Sequence, residues 1–159
     1  MDALTSTGSH PIQRLARRDN SYQVPQPVAN RPGILTVDAT WGTISPMQLA
    51  PGVTTVGELE VIDHIAAGLP LVDTRLEHFY RDGTIPTALN IPHKRIAESL
   101  AALDPHRATV FFCNGPQCAA TPDAIRILLA TDYPPESVLY YRGGMHDWMT
   151  LGLPIEAPG

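Results

Sequence analysis

Cysteine is scarce in this chain. Two residues among 159, at positions 113 and 118, are too few for a disulfide framework and too close in sequence to staple distant parts together. No second cysteine pair and no spaced histidine pair accompanies them, so a four-ligand zinc site is not expected. Long apolar runs are missing as well, and no segment reads as membrane-spanning. Behind Arg14, Arg17 and Arg18 the chain continues with Asp19, Asn20 and Ser21 rather than an apolar stretch, so an export signal is not expected either and the expected compartment is the cytoplasm. The net charge of −5 comes without a block of like charge, which argues against a nucleic-acid interface. What the chain has in excess is proline. Its 16 prolines are roughly twice the average share of about 5%, which predicts many loops and an extended arm rather than a helical bundle.

Residues 1–33 are polar, carry Pro11, Pro25, Pro27 and Pro32, and show no sustained period. They read as a flexible or draped N-terminal arm, laid over its own domain or over a neighbouring copy in a homo-oligomer. Residues 34–45 are β-branched enough to add a strand or hairpin at one edge, with Trp41 packing on the core. Thr55 and Glu58 have capping-box spacing and predict a helix whose apolar face is Leu59, Ile62, Ile65 and Ala66, closed by Gly68. Further on, short strands are expected at 71–74, 88–91 and 138–141, a helical turn at 78–81, a helix at 95–103 with Ile96, Leu100 and Leu103 on one side, and a short last helix at 145–151. Near-continuous apolar strands alternating with amphipathic helices predict one α/β domain over 34–156, with a mostly parallel sheet covered by helices on both faces.

The stretch around which this is arranged runs over residues 109–130, TVFFCNGPQCAATPDAIRILLA. It reads as a buried strand ending on Cys113, an uncharged loop through Ala120, and a helix with Thr121 as N-cap and Pro122 and Asp123 in its first turn. In an open parallel sheet the ligand crevice lies at the carboxyl ends of the strands. Residues 73–75, Cys113 and residues 142–144 all fall there. A free thiol with a pKa of about 8.5 is only a few per cent ionised at neutral pH, and backbone amides with a helix N-terminus favour the thiolate. The loop residues Asn114, Gly115, Pro116, Gln117, Ala119, Ala120 and Thr121 are therefore candidates to cradle an anionic sulfur, with Gly115 free to take a positive φ.

Leu71-Val72-Asp73-Thr74-Arg75 with Glu77 and Tyr80, the run 83–92 (GTIPTALNIP), Val110 to Cys113, and Tyr141-Arg142-Gly143-Gly144 with Trp148 and Gly152-Leu153-Pro154 together resemble the rhodanese-like domains over about residues 43–156. The resemblance implies a single rhodanese-like domain and sulfur transfer of the thiosulfate:cyanide sulfurtransferase class. A cysteine takes a sulfane sulfur from a donor such as thiosulfate, holds it as a persulfide, and passes it to cyanide or a thiol, with no metal or organic cofactor. The matching cysteine is Cys113. The loop departs from the family pattern in being longer and uncharged and in holding Cys118. Without a basic side chain there, a persulfide or polysulfide becomes a rival to thiosulfate as donor.

Cys118 is a candidate resolving thiol, an alternative nucleophile at the centre of the cradle, or a small packed residue. Asp73 and Arg75 are expected to form a structural pair that fixes a loop, and Arg142 either faces the anion or makes a salt bridge. His93 and His146 are expected at the surface or in packing, and Tyr140 and Trp148 in the core. Two rival functions remain open from the residues alone: a thiol–disulfide switch using Cys113 and Cys118, and a non-catalytic binding module.

Overall fold

The computed structural model describes residues 26–36 and 45–158. The chain divides between Gly42 and Thr43 into two compact units. Within the first, β1 (Gln26–Pro27) and β2 (Leu35–Thr36) pair antiparallel, and the Val28 N–H donates to the Ile34 carbonyl at 3.0 Å across the turn. Part of the segment read as an arm is thus one strand of a hairpin. Residues 1–25 and Trp41 lie outside the described residues.

The second unit runs β3 (Thr54–Val56), α1 (Glu58–Ala66), β4 (Leu71–Asp73), α2 (Glu77–Asp82) and β5 (Leu89–Asn90). Two 3-10 segments (His93–Glu98 and Leu100–Ala102) follow, then β6 (Thr109–Phe112), α3 (Ala120–Leu129), β7 (Val138–Tyr141) and α4 (Gly144–Thr150). The strands form one sheet in the order β3-β7-β6-β4-β5, and every neighbouring pair is parallel. All four residues of β6 are buried, as expected of a strand covered on both faces. The pleat sends them to opposite sides. Phe111 joins Val72, Tyr140, Ile125 and Leu128 under α3, whereas Val110 and Phe112 join Leu71, Val61, Met145 and Trp148 under α1 and α4. Burying each such side chain contributes about 1.5–3 kcal/mol. Among the described residues no helix is long and apolar enough to cross a membrane.

Four local expectations are corrected. Helix α1 is capped by Gly57, whose N–H donates to Glu60 Oε1 at 2.8 Å; Thr55 belongs to β3. Its buried residues are Val61 and His64, while Leu59 is 73% exposed and Ile62 39%. The helix carries two apolar stripes, and the sheet takes the one with Val61 and Ile65, where His64 Nε2 shares a 2.8 Å hydrogen bond with the Pro70 carbonyl. The expected helix at 95–103 is instead the two 3-10 segments, which bury Ile96 and leave Leu100 exposed. A hydrogen bond from the Ser99 hydroxyl to the Arg95 carbonyl satisfies the chain where regular helix stops. Helix α3 starts at Ala120 with Ala119 as its cap, so Thr121 lies inside the first turn and the loop is shorter than expected.

Candidate active site

The site is built where β6 ends. Cys113 follows the last residue of the strand and is 2% exposed. From there the chain turns back on itself, with the Cys118 N–H donating to the Gly115 carbonyl at 3.0 Å, and enters α3 two residues later. The turn sets Cys118 half-buried and nearer the surface than Cys113. The Cys113 Sγ lies 3.6 Å from the Cys118 carbonyl oxygen, to which it can donate, and the two thiols act on each other's ionisation.

The environment separates the two sulfurs chemically. The hydrogen bond from the Cys113 thiol is the largest influence on Cys118 and brings its pKa down to about 6, against the opposing cost of burial. Backbone N–H groups of Asn114 and Ala120 and the charge of Arg75 act in the same direction. Cys113 is pushed the other way, first by full burial and then by its bond to Cys118, although the hydroxyl and N–H of Thr121 partly offset this. These influences favour the thiolate on Cys118 and the protonated thiol on Cys113.

Three neighbouring segments hold the loop. On one side, Gly144 takes φ +59, and a Cβ there would stand 2.4 Å from the Cys113 carbonyl oxygen and 2.9 Å from the main chain of Asn114 and Gly115. Only glycine fits both the backbone angle and the gap. The closeness lets the N–H groups of Met145 and His146 donate to the carbonyls of Cys113 and Asn114 at 2.9 and 2.8 Å. On another side, the Ser45 N–H donates to the Pro116 carbonyl at 2.7 Å, and Arg142 Nε donates to the Ser45 carbonyl at 2.8 Å. Below, the Thr74 and Thr121 hydroxyls share a 2.8 Å hydrogen bond, and Thr74 also donates to the Phe112 carbonyl.

Asp73 and Arg75 form a buried pair. Arg75 Nη2 lies 2.7 Å from Asp73 Oδ2 and also donates to the Gly83 carbonyl at 2.6 Å, while Nε and the backbone N–H of Arg75 reach Asp73 Oδ1 at 3.0 Å each. The Thr84 hydroxyl adds a 2.8 Å bond to Asp73 Oδ2. The guanidinium is thus engaged by protein groups on several sides.

Over Cys118 opens a cleft of about 180 Å³ lined by Arg75, Leu76, Phe79, His93, Asn114, Cys118 and Ala120. Its accessible wall is almost wholly apolar. Roomier hollows of about 300 and 440 Å³ elsewhere on the surface contain no thiol. Of the loop residues read from sequence, Asn114, Cys118 and Ala120 line the cleft. Gly115 is buried against Gly143 and His146, Pro116 gives its carbonyl to Ser45, Gln117 is half-buried, Ala119 caps α3, and Thr121 points down to Thr74. Arg142 is bound to Ser45 and is not part of the cleft wall. His93 lines the cleft, with a buried Nδ1 that has no hydrogen-bond partner; His146 does not line it. Sequence reasoning missed Leu76, Phe79 and the role of Gly144. The signals available were a leucine placed after the Asp73–Arg75 strand end and a glycine pair at the end of β7. Among the described residues no cluster of three or more potential metal ligands occurs.

A family model for the rhodanese-like domain matches residues 59–151, more than half of the chain. A curated relative, the HTH-type transcriptional regulator Rv0324 of Mycobacterium tuberculosis, is 41% identical over 91 residues, 57% of this chain and 39% of that protein. The chain thus spans about two fifths of the length of that relative. Among solved structures, the BH2092 protein of Bacillus halodurans is 22% identical with a TM-score of 0.59, covering 65% of this chain and 77% of its own. A thiosulfate sulfurtransferase of Pseudomonas aeruginosa is also 22% identical, with a TM-score of 0.54, covering 67% of this chain and 21% of its own. At these identities the two structures bear on the fold.

Proposed function

The chain belongs to the rhodanese-like domain family, and from that premise we propose that it transfers a sulfane sulfur from a small donor to a thiol or cyanide acceptor by way of a persulfide on the thiol pair of the 113–118 loop. The observation that carries this reading is the pair itself: a half-buried free thiol in the wall of an open cleft with a second, buried thiol behind it, the outer one brought down to a pKa of about 6 by that neighbour and by backbone N–H groups. Such a sulfur is largely thiolate at neutral pH, the form that attacks sulfane sulfur. The same backbone donors can hold the terminal sulfur of a persulfide anion, and no metal or organic cofactor enters the reaction.

The test is intact-protein mass after incubation with thiosulfate or a persulfide donor, on wild type, Cys113→Ser and Cys118→Ser. One added sulfur atom, lost again on addition of cyanide or a thiol, is expected for the wild type. No added sulfur with any donor would sink the reading.

Two free cysteines in one tight loop, with the Cys113 Sγ 3.6 Å from the Cys118 carbonyl oxygen, favour a second reading, a thiol–disulfide switch. Mild oxidant would then remove two hydrogens in mass, and the bridge would map to Cys113 and Cys118.

A further inference from the structure

The two cysteines differ in what they face. Cys118 is part of the cleft wall; Cys113 lies beneath it, 2% exposed and outside the wall. A donor entering the cleft meets Cys118 first. The rest of the wall speaks to the donor's charge. Leu76 is 47% exposed at this cleft and, with Phe79 and Ala120, gives it an apolar lining. The cation that touches it, Arg75, is 4% exposed and its guanidinium is already paired through two nitrogens with Asp73 behind the wall. Arg142 is bound to the Ser45 carbonyl outside the cleft. A dianion entering here would lose water without meeting an uncompensated cation. A neutral organic persulfide would lose little and would bury its alkyl group against Leu76 and Phe79.

We propose that Cys118 is the sulfur-accepting atom of this protein and that its cleft selects organic persulfides, R–S–SH with a small uncharged R, over thiosulfate. The proposal rests on the sulfane-transfer reading above and names its substrate class and its nucleophile. The Cys118 thiolate attacks the terminal sulfur of R–S–SH. The new Sγ–S bond forms as the donor's S–S bond breaks, and the electron pair of the broken bond leaves on RS⁻. The proton of the terminal sulfur passes to RS⁻, so RSH departs and Cys118 holds an anionic persulfide, with no external oxidant or reductant. Cys113, buried beneath, keeps its proton throughout, within reach of the Cys118 carbonyl oxygen.

The experiment compares second-order loading rates of the full-length protein with n-propyl hydropersulfide and with thiosulfate by intact mass, and locates the added sulfur by peptide mapping after alkylation. Loading by the alkyl donor at least about a hundredfold faster, with the sulfur on Cys118, is expected from the cost of placing an unpaired dianion in an apolar cleft. Leu76→Lys, which sets a cation at the cleft, is expected to raise the thiosulfate rate by about tenfold or more. Equal rates for the two donors, faster loading by thiosulfate, or sulfur mapped to Cys113 would each overturn the proposal while leaving sulfane transfer intact. Loading by neither donor would overturn the underlying function as well.

Discussion

At the scale of single residues the chemistry lies in the unequal pair of thiols. Cys118 has its pKa lowered to about 6, chiefly by the hydrogen bond from Cys113. The sign of the pH dependence follows from this. Above about pH 6 Cys118 is anionic and nucleophilic, and as the pH falls through that value it takes up a proton and loses reactivity. Alkylation of Cys118 by iodoacetamide, followed by peptide mapping, is therefore expected to show a midpoint near 6. In Cys113→Ala the strongest of the lowering influences is gone, and the midpoint is expected to move up toward that of an ordinary thiol. An unchanged midpoint in that variant would mean that the backbone amides, not Cys113, set the ionisation. The candidates for this chemistry were readable in the sequence, because a cysteine directly after a buried apolar strand falls at the crevice edge, where loop amides and a helix start can hold an anionic sulfur. Which sulfur faces the cleft was not readable. That depends on the turn from Cys118 back to Gly115 and on α3 starting at Ala120, and both follow from how the loop packs against its neighbours rather than from its own letters.

At the scale of elements, strands were more legible than helix boundaries. The apolar runs at β4, β6 and β7 are buried on both faces and offer no competing reading. Helix α1 offered two stripes, and nothing local says that the sheet will cover Val61 and His64 and leave Leu59 in water. The segment after β5 has helical spacing at Ile96, Leu100 and Leu103, yet it runs as two short 3-10 pieces that meet at Ser99, whose hydroxyl donates to the Arg95 carbonyl. The contact between α4 and the cysteine loop is the element-level feature with the sharpest consequence. Gly144→Ala adds a methyl group 2.4 Å from a main-chain oxygen at a left-handed φ. Either α4 or the loop must move. The expected cost is about 2–4 kcal/mol, seen as a lowered denaturant midpoint. Sulfur loading is expected to fall as well, because the amides that hold the Cys113 and Asn114 carbonyls shift with the helix. A variant with wild-type stability and loading would show that this contact is not needed.

At the scale of the whole molecule, the unit from Thr43 onward contains the entire parallel sheet and both halves of the core. A chain beginning at Thr43 is accordingly expected to unfold in one cooperative transition and to load sulfur as the full chain does. A near-ultraviolet circular dichroism spectrum without fine structure would refute this. The similarity to a transcriptional regulator over less than half of that protein's length fits the same picture of a portable unit.

The main chain of the cysteine loop is held by other main chain. Gly144 presses on it, Met145 and His146 donate to it, and the Ser45 amide donates to Pro116. The course of the loop is thus set largely by the main chain around it, with the Thr74–Thr121 hydroxyl bond as its side-chain tie. Positions 116, 117 and 119 work like type in a fixed frame, where letters can be exchanged without resetting the page. Evolution, or a designer, can rewrite those letters, which do not line the cleft, while the thiols beneath stay in register.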